Sequence, residues 1–194
     1  TQEEIIQKLK NELQSDTDYR RVEFVGPKVG KELKIIALKA VLFSLLAMFV
    51  YIWFRFSGWQ FGLGALIALF HDVISTIGFF SISQIEFNLA SIAAILTIAG
   101  YSINDTVVVF DRVRENLGIK AGSEVIPVVN ESINKTISRT LITSVTTFVV
   151  VLVLFLFGGP SLSGFSFALL IGIIVGTYSS IFVATPVFVD LIKR

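Results

Sequence analysis

Asn88-Leu-Ala-Ser-Ile-Ala-Ala-Ile-Leu-Thr-Ile-Ala-Gly-Tyr-Ser-Ile-Asn-Asp-Thr-Val-Val-Val-Phe110 decides the fold. It is long and apolar enough to cross the hydrocarbon core of a bilayer as a helix, which takes roughly 20 residues. Yet it holds an aspartate, Asp105, well inside its length. A charged side chain at the centre of a membrane helix costs about 2.5–3.5 kcal/mol on insertion. A chain that keeps one there has a use for it.

Four further stretches flank this one at about 33–54, 60–80, 140–157 and 165–192, giving five expected membrane spans. Pro186 is the expected cause of a bend in the last of them. Hydrophobic residues make up 54% of the 194 residues, mean hydropathy is +0.79 and 16% are charged, so the bilayer is the expected solvent. The formal net charge of +1 carries no field suited to nucleic acid. With no cysteine and one histidine, neither disulfides nor a cysteine or histidine metal cluster is expected. No phosphate loop or nucleophile elbow occurs either, so the reading is of a non-enzyme without cofactor.

Lysine and arginine gather at Arg55, between Arg112 and Arg139, and at Lys193-Arg194, whereas residues 81–87 and 158–164 hold none. The positive-inside rule then puts the C-terminus in the cytoplasm and the N-terminal segment outside. Lys8, Lys10, Arg20, Arg21, Lys28, Lys31, Lys34 and Lys39 run against this, as a folded external domain can allow. Residues 1–30 read as the end of such a domain. Thr1 and Glu4 have capping-box spacing, Ile5, Ile6, Leu9 and Leu13 share a helical face, and Arg21–Val25 is strand-like. Because the sequence opens Thr1-Gln-Glu-Glu without methionine, it is expected to be a piece of a longer protein.

Within the third span Tyr101, Asn104 and Asp105 share a face at three- and four-residue spacing. In the next helix Thr136, Arg139, Thr140, Thr143, Ser144 and Thr147 recur at the same steps, and Arg139 falls at a depth where it could meet Asp105. A carboxylate that alternates between an arginine and a proton is a workable ion carrier; a fixed pair that orients two helices is the plainer reading. His71-Asp72 in the second span is a further candidate for an ion pathway, and Ser75, Thr76 or an adjacent helix could equally satisfy the acid. Gly172 and Gly176 have the spacing of close helix packing.

Four stretches together resemble the SecD/SecF family of protein-export membrane proteins, part of the resistance-nodulation-division superfamily. They are Val22-Glu-Phe-Val-Gly-Pro-Lys-Val-Gly30, His71-Asp-Val73, Gly100 to Asn116, and Ser138-Arg-Thr-Leu-Ile-Thr-Ser-Val-Thr-Thr147. The resemblance implies an all-α membrane protein built as a six-helix bundle, here with five of the helices, plus an αβ remnant of an external domain. It implies a bacterial inner-membrane subunit that uses proton or sodium motive force to help preproteins complete export. SecD would supply the second six-helix half, with the SecYEG channel, the preprotein and lipid as neighbours. Ion coupling would fall on Asp105 and Arg139, and Asp72, His71, Asn104, Thr143 and Thr147 are candidates for the ion pathway. The alternatives are a scaffold for SecD without ion conduction, or a superfamily exporter of lipids or small molecules.

Overall fold

A computed structural model describes residue 8 and residues 27–120 and 124–192. The αβ piece expected near the N-terminus lies outside the described residues, apart from Lys8, which is helical. The chain divides into two units, Thr1–Ile36 and Ala37–Arg194, and the packing described below belongs to the second. The described residues form helices and turns, with no strand among them. They are α1 (Pro27–Phe56), α2 (Trp59–Ser83), α3 (Leu89–Ile119), α4 (Val125–Phe157), α5 (Pro160–Ser179), a π-helical turn (Ser180–Ala184) and α6 (Thr185–Ile192). Five spans are long and apolar enough to cross a membrane, the last being the continuous run Pro160–Ile192.

Pro27 to Gly30, expected as a connecting segment, are already helical. Proline suits the first helical position because its fixed φ fits and its missing N–H would be unpaired there anyway. α1 ends in a two-residue turn in which Ser57 takes a left-handed φ of 53°, and Gly58 precedes α2. α2 closes on Gln84, also left-handed, whose N–H bonds the Phe80 carbonyl. Asn88 then starts α3 with a reciprocal capping box to Ser91, satisfying two of the amides that a helix leaves open at its start. Between α4 and α5 the chain turns through Gly159 at φ 76°, a conformation glycine adopts without penalty, and Pro160 opens α5.

Two spans run well beyond their apolar cores. α3 continues nine residues past Phe110, and α4 begins 15 residues before Thr140, so the polar stretch expected to connect the spans is mostly helical hairpin. Asn116 Nδ2 donates to Ser132 Oγ at 2.8 Å inside it, and Ser132 Oγ donates to the Val128 carbonyl at 2.7 Å. Arg55 at the end of α1 grips Asp111 of α3 through both carboxylate oxygens, at 3.0 and 3.2 Å.

The last span is interrupted just before Pro186, by a turn wider than an α-helix. Thr185 Oγ1 donates to the Ser180 carbonyl, five residues back, at 3.0 Å. Proline cannot donate to the residue four positions before it and its ring would crowd that carbonyl, so a π-turn gives room where the helix would otherwise kink. The turn fits against α2 only because residue 64 is glycine: a Cβ there would lie 2.8 Å from the Ala184 carbonyl.

At the charged end the core is aromatic, with Phe61 stacked on Phe188 at 4.3 Å and edge-on to Phe110 at 5.2 Å. Elsewhere α3 and α5 pack most extensively, and α5 also meets α2 and α4. Beside this apolar core, the burial pattern departs from that of a protein in water. Asp72, Ser102, Asp105, Thr140, Ser144, Ser179 and Ser180 are buried, whereas Phe43, Phe54, Ile82, Val150 and Phe157 face outward. Lipid favours apolar surface outside and gives no strong apolar drive between helices, leaving small residues and hydroxyls to hold them together.

Candidate functional site

α3 carries the site because two of its buried residues, Ser102 and Asp105, are one turn apart and face different neighbours. Toward α4, Asp105 Oδ2 accepts from Ser144 Oγ at 3.4 Å, and Ser144 Oγ is 2.7 Å from Thr177 Oγ1 of α5. Toward α2, Ser102 Oγ donates to Asp72 Oδ2 at 2.6 Å, while Asp72 Oδ1 lies 3.2 Å from His71 Nδ1. Each carboxylate is thus held by a serine hydroxyl of a neighbouring helix, and with Thr177 the network joins four helices, α2 to α5.

α5 can approach this closely because of its glycines. A Cβ at residue 172 would come within 2.3–2.6 Å of Ile98, and one at residue 176 would meet Ser102 Cβ at 3.0 Å. Gly172 and Gly176 therefore lie against α3, Gly172 on Ile98 and Gly176 directly beside Ser102 and one residue before Thr177.

The expected meeting of Asp105 and Arg139 does not occur. Arg139 is exposed and makes no ion pair among the described residues. It lines a groove with Val108, Asp111, Arg112, Glu115 and Lys135. The cause is helical phase. The buried line of α4 runs through Ser132, Thr136, Thr140 and Ser144, at four-residue steps. Arg139 and Thr143 each precede a member of that line by one residue, about 100° around the axis. Their face is exposed, and Thr147 on it is half-buried.

α3 splits in the same way. Asp105 is buried, Asn104 is exposed, and Tyr101 is half-buried with its hydroxyl donating to the Thr143 carbonyl at 3.3 Å. The expected single polar face is two faces: an inner one bearing Asp105, Thr140 and Ser144, and an outer flank bearing Asn104, Arg139 and Thr143. The hydroxyls of Thr143 and Thr147 are spent on carbonyls of their own helix, at 3.1 and 2.8 Å.

One partner had no separate signal in the sequence: Thr177 is one hydroxyl in an apolar helix, marked only by its place after Gly176. Thr140, a member of the polar stripe, is buried with its hydroxyl unpartnered among the described residues, while Thr136, Thr143 and Thr147 all bond back to their helix.

Comparison with known proteins decides the family. The profile described as protein export membrane protein SecD/SecF, C-terminal, matches residues 5–194. The chain belongs to the SecD/SecF family. A protein translocase subunit SecF from Rickettsia rickettsii is 50% identical over 193 residues, covering 97% of this chain and 62% of the relative. One from Desulfurispirillum indicum is 52% identical over 175 residues, covering 89% and 55%. This SecD/SecF-family chain thus spans about three-fifths of the length of the curated relatives it matches. The crystal structure of SecDF from Thermus thermophilus, a translocon-associated membrane protein, superposes with a TM-score of 0.82 at 45% identity, covering 88% of this chain and 24% of that one.

Proposed function

We propose that this chain is the membrane part of a SecF-type subunit of the inner-membrane protein translocase. With a SecD-type partner beside the SecYEG channel, it uses the proton or sodium motive force to assist preprotein export. Asp105 carries the reading. Asp105 is 3% exposed, its one side-chain partner among the described residues is the hydroxyl of Ser144, and the guanidinium of Arg139 forms no ion pair with it. A carboxylate buried without a bonded counter-charge is costly in a bilayer, so its charge state is the variable that a passing proton or cation changes. Movement of one elementary charge through 100 mV supplies about 2.3 kcal/mol, enough to shift packing that rests on a few hydroxyl contacts.

The polar outer flank supports the partner. Asn104, Arg139 and Thr143 are exposed on α3 and α4, close to outward apolar residues such as Leu141, Ile142 and Val145. Polar side chains at membrane depth are kept where protein or a water-filled cavity covers them. A second six-helix half on this edge would place the ion site at the interface between repeats, as in other repeat-built transporters. Tyr101, Asn104, Thr143 and Thr147 would then border the ion path. Orientation follows the charge distribution, with the Arg55, Asp111 and Arg139 end cytoplasmic.

Asp105→Asn in the complete complex, reconstituted in vesicles, tests the reading: ion flux and preprotein translocation should both fall at least tenfold. Undiminished flux with undiminished translocation would refute it. The network that ties α3, α4 and α5 through Asp105, Ser144 and Thr177 favours a second reading, a structural lock. On that reading Asp105→Asn lowers the yield of assembled complex, while each assembled complex conducts as before.

A further inference from the structure

Asp72 and His71 are neighbours in sequence, and adjacent residues on a helix point about 100° apart. The imidazole nevertheless turns back so that Nδ1 lies 3.2 Å from Asp72 Oδ1. The two side chains differ sharply in exposure, 39% for His71 and 1% for Asp72. The other carboxylate oxygen takes the Ser102 hydroxyl at 2.6 Å, and among the described residues no lysine or arginine forms an ion pair with Asp72. A fully buried acid is thus joined to the outside of the bundle through one imidazole.

We propose that His71 and Asp72 form a proton-binding site of their own, distinct from Asp105, in which imidazole and carboxylate share one proton and Ser102 carries its occupancy to α3. In the vacant state the ring is neutral, with its proton on Nδ1 donated to the anionic Oδ1, and the pair has a charge of −1. An arriving proton binds Nε2. The pair is then neutral, either as imidazolium and carboxylate or, if the Nδ1 proton crosses to Oδ1, as neutral ring and neutral acid. Departure from Nε2 restores the first state, so the buried carboxyl exchanges protons without meeting solvent.

Among the described residues nothing around the pair duplicates the role. α3 offers Asp105, which is turned to Ser144, and Tyr101, whose hydroxyl is bound to Thr143. α5 offers Tyr178, whose ring centroid is 6.5 Å from that of His71. Asp190 on α6 is exposed, the π-turn contributes no ionisable group, and α1 meets α2 here through Leu45 and Met48 against Leu69. Ser102 also packs on Gly176, and the next residue, Thr177, reaches Asp105 through Ser144. Consecutive residues of α5 thus sense the two acids. The site stands on its own geometry and does not require ion coupling at Asp105.

Solid-state NMR of the full-length complex in bilayers, with 15N-histidine and 13C-aspartate, tests this. His71 is the single histidine of this sequence, and subtraction of a His71→Gln sample isolates its signal from any elsewhere in the complex. A shared proton makes the pair titrate as a unit. The imidazole nitrogens of His71 and the carboxyl carbon of Asp72 should therefore change together across one pH series, with Nδ1 showing a lengthened N–H bond. Asp72→Asn should abolish that lengthening, and Asp105→Asn should leave the joint change in place. A ring and a carboxyl that change at separate pH values, or an Nδ1 without a hydrogen bond, would overturn the site. The wild-type spectra distinguish these outcomes even if Asp72→Asn fails to assemble.

Discussion

Gly172 and Gly100 both sit inside apolar helices, yet an added methyl group would find different surroundings. At residue 172 it would enter the side chain of Ile98 at 2.3–2.6 Å, while at residue 100 nothing lies within 4 Å. Overpacking a close helix contact costs about 1–3 kcal/mol, whereas surface changes stay within about 0.5 kcal/mol. Gly172→Ala should therefore lower the unfolding free energy in mixed micelles by that larger amount, and Gly100→Ala should leave it unaltered or raise it by up to about 1 kcal/mol, the helix preference of alanine over glycine. Equal effects at the two positions would show that α5 does not rest on α3 as described. Ser144 invites a finer test, because its hydroxyl contacts both Asp105 and Thr177. Ser144→Ala keeps the carboxylate and removes its donor. Ion flux through the complete complex should fall by less than with Asp105→Asn, and a loss as complete as that of Asp105→Asn would mean the hydroxyl itself is on the ion path.

The α3 and α4 hairpin is the element that hydropathy describes least well. Apolar runs end near Phe110 and begin near Thr140, but the helices continue because Asn116, Ser132 and the Val128 carbonyl satisfy one another inside. Ser132→Ala would leave the buried Asn116 amide short of an acceptor, at a cost of about 1–3 kcal/mol. Hydrogen exchange of residues 125–135 should rise accordingly; unchanged protection would show that the hairpin does not depend on this bond. Five spans were readable from apolar length alone, since bilayer thickness imposes that length. The burial of Asp105 was readable from its place inside the apolar run. The side that Arg139 faces was not, because three- and four-residue recurrence marks a band of a helix rather than its innermost line. Thr136, Arg139, Thr140 and Thr143 all satisfy the recurrence, and only packing against α3 selects Thr136 and Thr140. Pro186 announced an interruption, while its form as a π-turn depends on Gly64 in another helix leaving room for the Ala184 carbonyl.

At the scale of the whole molecule, the bundle has two kinds of outer surface, and they call for different neighbours. α1 presents Leu38, Leu42, Phe43 and Leu46 outward, a surface that acyl chains satisfy. The edge between α3 and α4 presents Asn104, Arg139 and Thr143, which acyl chains do not. A SecD-type half seated on that edge would bury these groups and leave α1 in lipid. The sequence has no cysteine, so single cysteines report local environment without background. Thr143→Cys should react with a membrane-permeant maleimide at least tenfold more slowly in the assembled complex than in the subunit alone, while Phe43→Cys should react alike in both. A cysteine at residue 143 that is equally reactive in the two states would place the partner elsewhere. Protection at residue 43 with none at residue 143 would move the interface to α1, and Arg139 would then need a lipid headgroup or water as its counterpart.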